Sequence, residues 1–143
     1  MKFETSQEFY SHIEERYEEY YEKLLSFDNS TLDDRITKVA SYYAFFGAVL
    51  VYAKGLLDDA NEKHQFMVCE KKNTISIGST SKISDAKLEN MVFTDPEVRN
   101  LRIYMNSVEL KYELVKNLVS AIGMLKDMVV QASSNRRSEM KLQ

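Results

Sequence analysis

Apolar residues recur every three or four positions over most of this chain, and two stretches hold that rhythm long enough to predict long helices. In the first, Val39, Tyr43, Phe46, Leu50, Ala53, Leu57, Ala60, His64 and Met67 alternate steps of four and three. In the second, Leu101, Met105, Val108, Tyr112, Val115, Val119 and Ile122 do the same, with Leu125 and Val129 extending the row. Each row is a heptad seam, the pattern by which one helix lies along another. Small residues at Ala53 and Ala60 would let the partner helix come close.

The ends of these helices carry their own signals. Thr31 is a plausible N-cap for the first, with Asp33 and Asp34 in the first turn where the helix dipole favours acids. The second opens at Thr94-Asp95-Pro96-Glu97, an Asp or Thr cap followed by Pro at the first helical position. It is expected to end near Ser133 or Asn135. Between the seams, the polar stretch from Asn73 to Ser81 with Gly78 predicts a break, in which Ile75 and Ile77 could form a short extended piece. A short helix capped by Ser84 follows, to about Val92. A further amphipathic helix, from about Ser6 to Phe27, precedes the first seam through Phe9, Ile13, Tyr17, Tyr20, Leu24 and Phe27.

The expected fold is therefore all-α: a long antiparallel helical hairpin with an additional N-terminal helix, in one domain over 1–143. Its parts are an acidic helix (1–30), a long helix (31–72), a polar loop (73–83), a short helix plus the long C-terminal helix (84–135) and a basic tail (136–143). The first seam is also apolar on its flank. Tyr42, Phe45 and Val49, beside Tyr43, Phe46 and Leu50, exceed what one partner helix covers. That surplus predicts an oligomeric helical bundle with these six residues at the interface.

Composition fits this picture. One Pro and four Gly are too few for a loop-rich or all-β fold, since sheets need frequent turn residues. The run from Val39 to Ala53 holds 15 uncharged residues, short of the roughly 20 that a spanning helix needs, so the expectation is a buried helix and no membrane. Met1 leads directly into a charged, Tyr-rich stretch, which predicts no signal peptide. The single Cys69 excludes an internal disulfide and reads as a small buried or half-buried hydrophobe in a reducing cytosol.

Charge divides unevenly. Residues 1–34 carry three bases against ten acids, a net of −7, and residues 35–143 hold the other 16 bases and 12 acids, a net of +4. Lys71 and Lys72 precede the polar stretch and Lys82 and Lys87 follow it, so four lysines surround one hairpin tip. Arg99 and Arg102 fall on the first turns of the last helix, and Arg136, Arg137 and Lys141 form a second cluster. Cations so grouped suit phosphates, and a single strand adds aromatic stacking.

Catalytic signatures are missing. His12 and His64 are the only histidines, and His64 occupies a seam position. No phosphate loop, dinucleotide fingerprint or HExxH pattern occurs, so no enzyme and no cofactor are expected. Asp58 and Asp59 with Glu62 could hold a metal, but a solvated charge cluster is the better reading, and no metal is expected.

One resemblance adds a function. The Leu32-Asp33-Asp34-Arg35 start leads into SYYAFFGAVLVYAKGLLDDA; then come KISDAKLENMVFTDPEV and the ending KDMVVQASSNRRSEM. Over roughly Leu32 to Met140 this order resembles the UvsY-like recombination mediators, small helical proteins encoded by T-even-like phages. The resemblance implies a ring-like homo-oligomer in the cytoplasm of an infected or lysogenic bacterial host. It would bind single-stranded DNA and help load a RecA-type recombinase onto strands covered by single-strand-binding protein. Lys71, Lys72, Lys82 and Lys87 are the positions nearest the family's basic stretch. The alternative is a non-enzymatic structural or adaptor protein of a phage, for virion assembly or host-protein binding.

Overall fold

The structure is a computed structural model that describes Glu8, Ser11 and residues 32–142. The helix predicted over 6–27, His12 and the Thr31 cap lie outside the described residues, apart from Glu8 and Ser11, which are helical and exposed. Three helices account for almost everything else: α1 (Leu32–Gly78), α2 (Asp85–Phe93) and α3 (Pro96–Lys141). Among the described residues there is no strand. At 47 and 46 residues, α1 and α3 are each about 70 Å long at 1.5 Å per residue.

Both long helices outrun their predicted ends. The polar stretch after Asn73 stays helical to Gly78, so the extended piece at Ile75 and Ile77 does not form. With no Pro to remove an N–H, each weak helix former there costs only about 0.7 kcal/mol or less. The Thr74 hydroxyl donates to the Glu70 carbonyl at 3.0 Å, a bond a Thr side chain can make while the backbone stays helical. The chain turns only after Gly78, where the Ser79 hydroxyl donates to the Ser81 carbonyl at 2.6 Å. At the other end, α3 runs through the expected stop at Ser133–Asn135 and takes the basic tail with it. Ser138 donates to the Ser134 carbonyl at 3.1 Å, and neither Gly nor Pro interrupts.

The starts of α2 and α3 follow the sequence closely. Ser84 caps α2, its hydroxyl accepting from the Lys87 N–H at 3.4 Å. Asp95 caps α3, its Oδ1 accepting from the Glu97 and Val98 N–H groups at 3.0 and 3.2 Å, with Pro96 first in the helix.

The long helices pack on each other along their seams. Contacts divide the chain into two compact units: the described part of Met1–Val51 together with Leu114–Gln143, and Tyr52–Glu113. In the first unit Val39, Phe46 and Val49 of α1 are buried, as are Val115, Leu118 and Ile122 of α3. Tyr43 fills the space over Gly123, its ring 3.2 Å from where a Cβ would stand. In the second unit Ala53, Leu57 and Ala60 of α1 are buried, as are Val92 of α2 and Val98 and Val108 of α3.

These positions follow the predicted seams with two local offsets. Val49 is buried where Leu50 was expected to be, and Leu118 where Val119 was. Each is a local shift to the neighbouring residue, since burial returns to the seam at Ala53, Leu57 and Ala60 on α1 and at Ile122 on α3. By length and composition α1 is also long and apolar enough to cross a membrane, with an 18-residue window of mean hydropathy 1.3. From its apolar run Val39, Phe46 and Val49 are buried, while Tyr43, Val51 and Tyr52 are exposed, so the helix expected to be buried is covered mainly on one face.

Candidate nucleic-acid interface

The predicted basic residues fall into two groups. Lys71, Lys72, Lys82, Lys87, Arg99 and Arg102 belong to the second unit, on the end of α1, the connection to α2, α2 itself and the first turns of α3. Arg136 and Arg137 belong to the first unit, exposed on the last turns of α3. The Arg137 guanidinium reaches back to the buried Ser133 hydroxyl at 3.4 Å.

Within the second unit the cations are not equivalent. Lys71 is the most engaged, with its ammonium 3.4 Å from the Asp95 carboxylate and 3.3 Å from that of Glu97. Burial works against the Lys71 charge, but the hydrogen bond it donates to Glu97 and the attraction of both carboxylates outweigh it and raise its pKa. Burial likewise opposes the Asp95 charge. The Val98 and Glu97 N–H groups and the Lys71 ammonium override it and hold the carboxyl below its usual value. Lys71 thus ties the end of α1 to the cap of α3, and a phosphate would have to compete with two carboxylates for it.

Lys72 is held more loosely, 3.8 Å from Glu89, a distance beyond a hydrogen bond. Lys82 and Lys87 are exposed, and so is Arg99. Arg102 is half-buried for a specific reason. Its guanidinium lies over the Phe93 ring, 3.8 Å from the centroid, while Nη1 donates to the Phe93 carbonyl at 3.4 Å. That contact satisfies a carbonyl at the end of α2 and fixes the arginine beside an aromatic ring that is 60% exposed.

Phe93 was not singled out in the sequence. The available signal was an aromatic side chain next to buried Val92 and directly before the Thr94-Asp95 cap, off the α2 core face. The structure also finds a cleft of about 260 Å³ in this unit, lined by His64, Val68, Lys72, Glu89, Phe93 and Arg102. The seam position of His64 is kept, with its ring half-buried, but Nε2 is buried without a hydrogen-bond partner.

The predicted oligomer surface is split in the same way. Phe46 and Val49 are buried within the single chain, so they are core and do not face another copy. Phe45 packs edge-on against Phe46 with ring centroids 5.1 Å apart, and it is half-buried with Tyr42 and Leu50. Tyr43 is 38% exposed and carries the Lys126 ammonium 4.6 Å from its ring centroid. In that unit the exposed apolar side chains include Val51 on α1, Leu114, Met124, Met128 and Met140 on α3, and Leu142 beyond its end.

Two minor candidates also change. Asp58 and Asp59 point to separate partners, Lys54 and Lys63, each at 2.8 Å. The hydrogen bond that each lysine donates to its aspartate raises the pKa of that lysine. Among the described residues no group of three or more His, Cys, Asp or Glu side chains is placed to hold a metal. Cys69, expected to be at least half-buried, is exposed, because it lies off the inward face of α1. No protein-family model, curated protein or solved structure matches the chain.

Proposed function

We propose that this chain is a non-enzymatic recombination mediator of the UvsY-like kind, made by a phage and acting in the cytoplasm of its bacterial host. It binds single-stranded DNA as a homo-oligomer and helps load a RecA-type recombinase onto strands covered by single-strand-binding protein. The long helices run as an antiparallel hairpin, a reading supported within the second unit by Lys54 against Tyr112 and Lys71 against Asp95. The observation that carries the DNA reading is the Arg102–Phe93 stack beside the exposed Lys82, Lys87 and Arg99. Phosphates need cations and unpaired bases need a flat apolar face, and this end of the second unit offers both. Self-association is supported by Leu114, Met124 and Met128, each more than half exposed on α3.

Gel-shift titration of a labelled single strand at low salt tests this. The expected result is binding at micromolar protein that weakens with added salt, and that falls sharply when Lys82 and Lys87 are both changed to Glu. No shift, or a shift indifferent to that reversal, would overturn it. The adaptor reading draws on a different observation, the capture of Lys71 by two carboxylates, which lowers the positive charge open to DNA. A pull-down that recovers recombinase or single-strand-binding protein favours the mediator, and one that recovers only virion components favours the adaptor.

A further inference from the structure

The cleft in the second unit combines three features that its packing role does not use. His64 Nε2 is buried and unpartnered, which costs free energy unless a ligand or a water satisfies it. Lys72 and Arg102 line the same cleft, two cations against the single carboxylate of Glu89. Neither is committed. The Lys72–Glu89 pair is long and exposed, so it exchanges readily. Arg102 uses only Nη1 on the Phe93 carbonyl, leaving the rest of its donor fork for an oxyanion. Phe93 then supplies an apolar wall: Arg102 covers part of the ring, and 60% of the residue remains exposed.

We propose that this cleft is a nucleotide subsite. One phosphate is held by Lys72 and Arg102 beside the His64 ring, and the base of the same nucleotide stacks on the exposed part of Phe93. A volume of about 260 Å³ has room for a phosphate and sugar with the base at the mouth. Val68 and the buried Val98 also line the cleft and give it an apolar side beside the cations. The inference rests on the single-strand reading for its natural ligand, a nucleotide within a strand, but the cleft chemistry is testable without a strand.

The probes are deoxyadenosine 5′-monophosphate and inorganic phosphate, titrated into the full chain while the His64 ring nitrogens and the Phe93 ring protons are followed by NMR. The expected result is that the mononucleotide shifts both residues, and binds about tenfold more tightly than phosphate alone because of the stack. Phe93→Leu keeps the apolar bulk and removes that advantage; Arg102→Gln weakens both probes. Circular dichroism confirms that each variant remains helical. His64 unmoved by millimolar mononucleotide, or a mononucleotide no tighter than phosphate, overturns the subsite. Single-strand binding by the wild type that persists undiminished in the Phe93→Leu, Arg102→Gln double variant also overturns it and removes the stack from the DNA reading, which is then decided by the Lys82 and Lys87 reversal alone. The converse, a mononucleotide response without strand binding, supports the subsite and removes the mediator function.

Discussion

The Lys71 ammonium lies 3.4 Å from the carboxylate of Asp95, the residue that caps α3. One side chain thereby links the last third of α1 to the start of its partner helix, and it does so through the group that also satisfies the Glu97 and Val98 N–H donors. The contact is structural, and it removes Lys71 from the set of free cations.

This relationship has a pH signature with a definite sign. The folded pKa of Asp95 lies below its ordinary value of 3.8, so the stabilisation it brings is complete above that value and is lost as pH falls through the folded pKa. Lys71 is shifted the other way, above 10.5, so its contribution is complete below that value and is lost only as pH rises through the folded pKa. Asp95→Asn keeps a capping oxygen and removes the charge. Its melting temperature is expected to fall below that of the wild type at pH 7, with the gap closing in acid below about pH 4. Thermal melts followed by circular dichroism read this directly. A gap that widens in acid would show that the pair is not the source.

The core of the first unit makes a second prediction. Phe46 is 2% exposed and Ile122 1% exposed, so truncating either to Ala should cost about 2–5 kcal/mol through lost burial and a residual cavity. Val51, 74% exposed on the same helix as Phe46, should cost less than about 0.5 kcal/mol. Urea denaturation separates the cases. Equal losses at Phe46 and Val51 would mean that the described faces are reversed.

Glycines inside the long helices give a third. A Cβ added at Gly47 or Gly55 meets nothing within 4 Å, so Gly→Ala at either should stabilise by about 0.5–1 kcal/mol through helix propensity alone. At Gly123 the new carbon would stand 3.2 Å from the Tyr43 ring. Tyr43 is partly exposed and can yield, so Gly123→Ala should gain less than the other two and should loosen Lys126 from the Tyr43 ring. Comparing the three variants by urea denaturation tests the order; the largest gain at Gly123 would contradict it.

Much of the fold was legible because it rests on local rules. Ser84 and Asp95 cap their helices as their side chains suggest, and Pro96 marks the first turn of α3. The buried faces at Val39, Phe46, Ala53, Leu57, Val108, Val115 and Ile122 follow directly from apolar spacing. Helix ends were less legible. Polar residues such as Asn73, Thr74 and Ser138 are weak helix formers but not helix breakers, and the Thr74 and Ser138 hydroxyls donate to carbonyls four residues back on the same helix.

The site was legible as a list of cations but not as an arrangement. Nothing in the spacing of Lys71 showed that Asp95 and Glu97 would reach it across helices. Nor did it show that Arg102 would stack on Phe93, nine residues earlier, or that His64 Nε2 would be left without a partner. Those are tertiary facts, set by which faces of α1, α2 and α3 meet. For the same reason, the apolar surplus assigned to oligomerisation at Phe46 and Val49 is core of one chain.

The central claim is that an oligomer of this 16.6 kDa chain binds single strands, and one measurement addresses both parts. Light scattering of the full chain gives its solution mass with and without a single-stranded oligonucleotide. The account predicts a mass that is a multiple of the chain mass, rising by the mass of bound oligonucleotide at low salt and returning when salt is added. A particle of single-chain mass that the oligonucleotide leaves unchanged would contradict it.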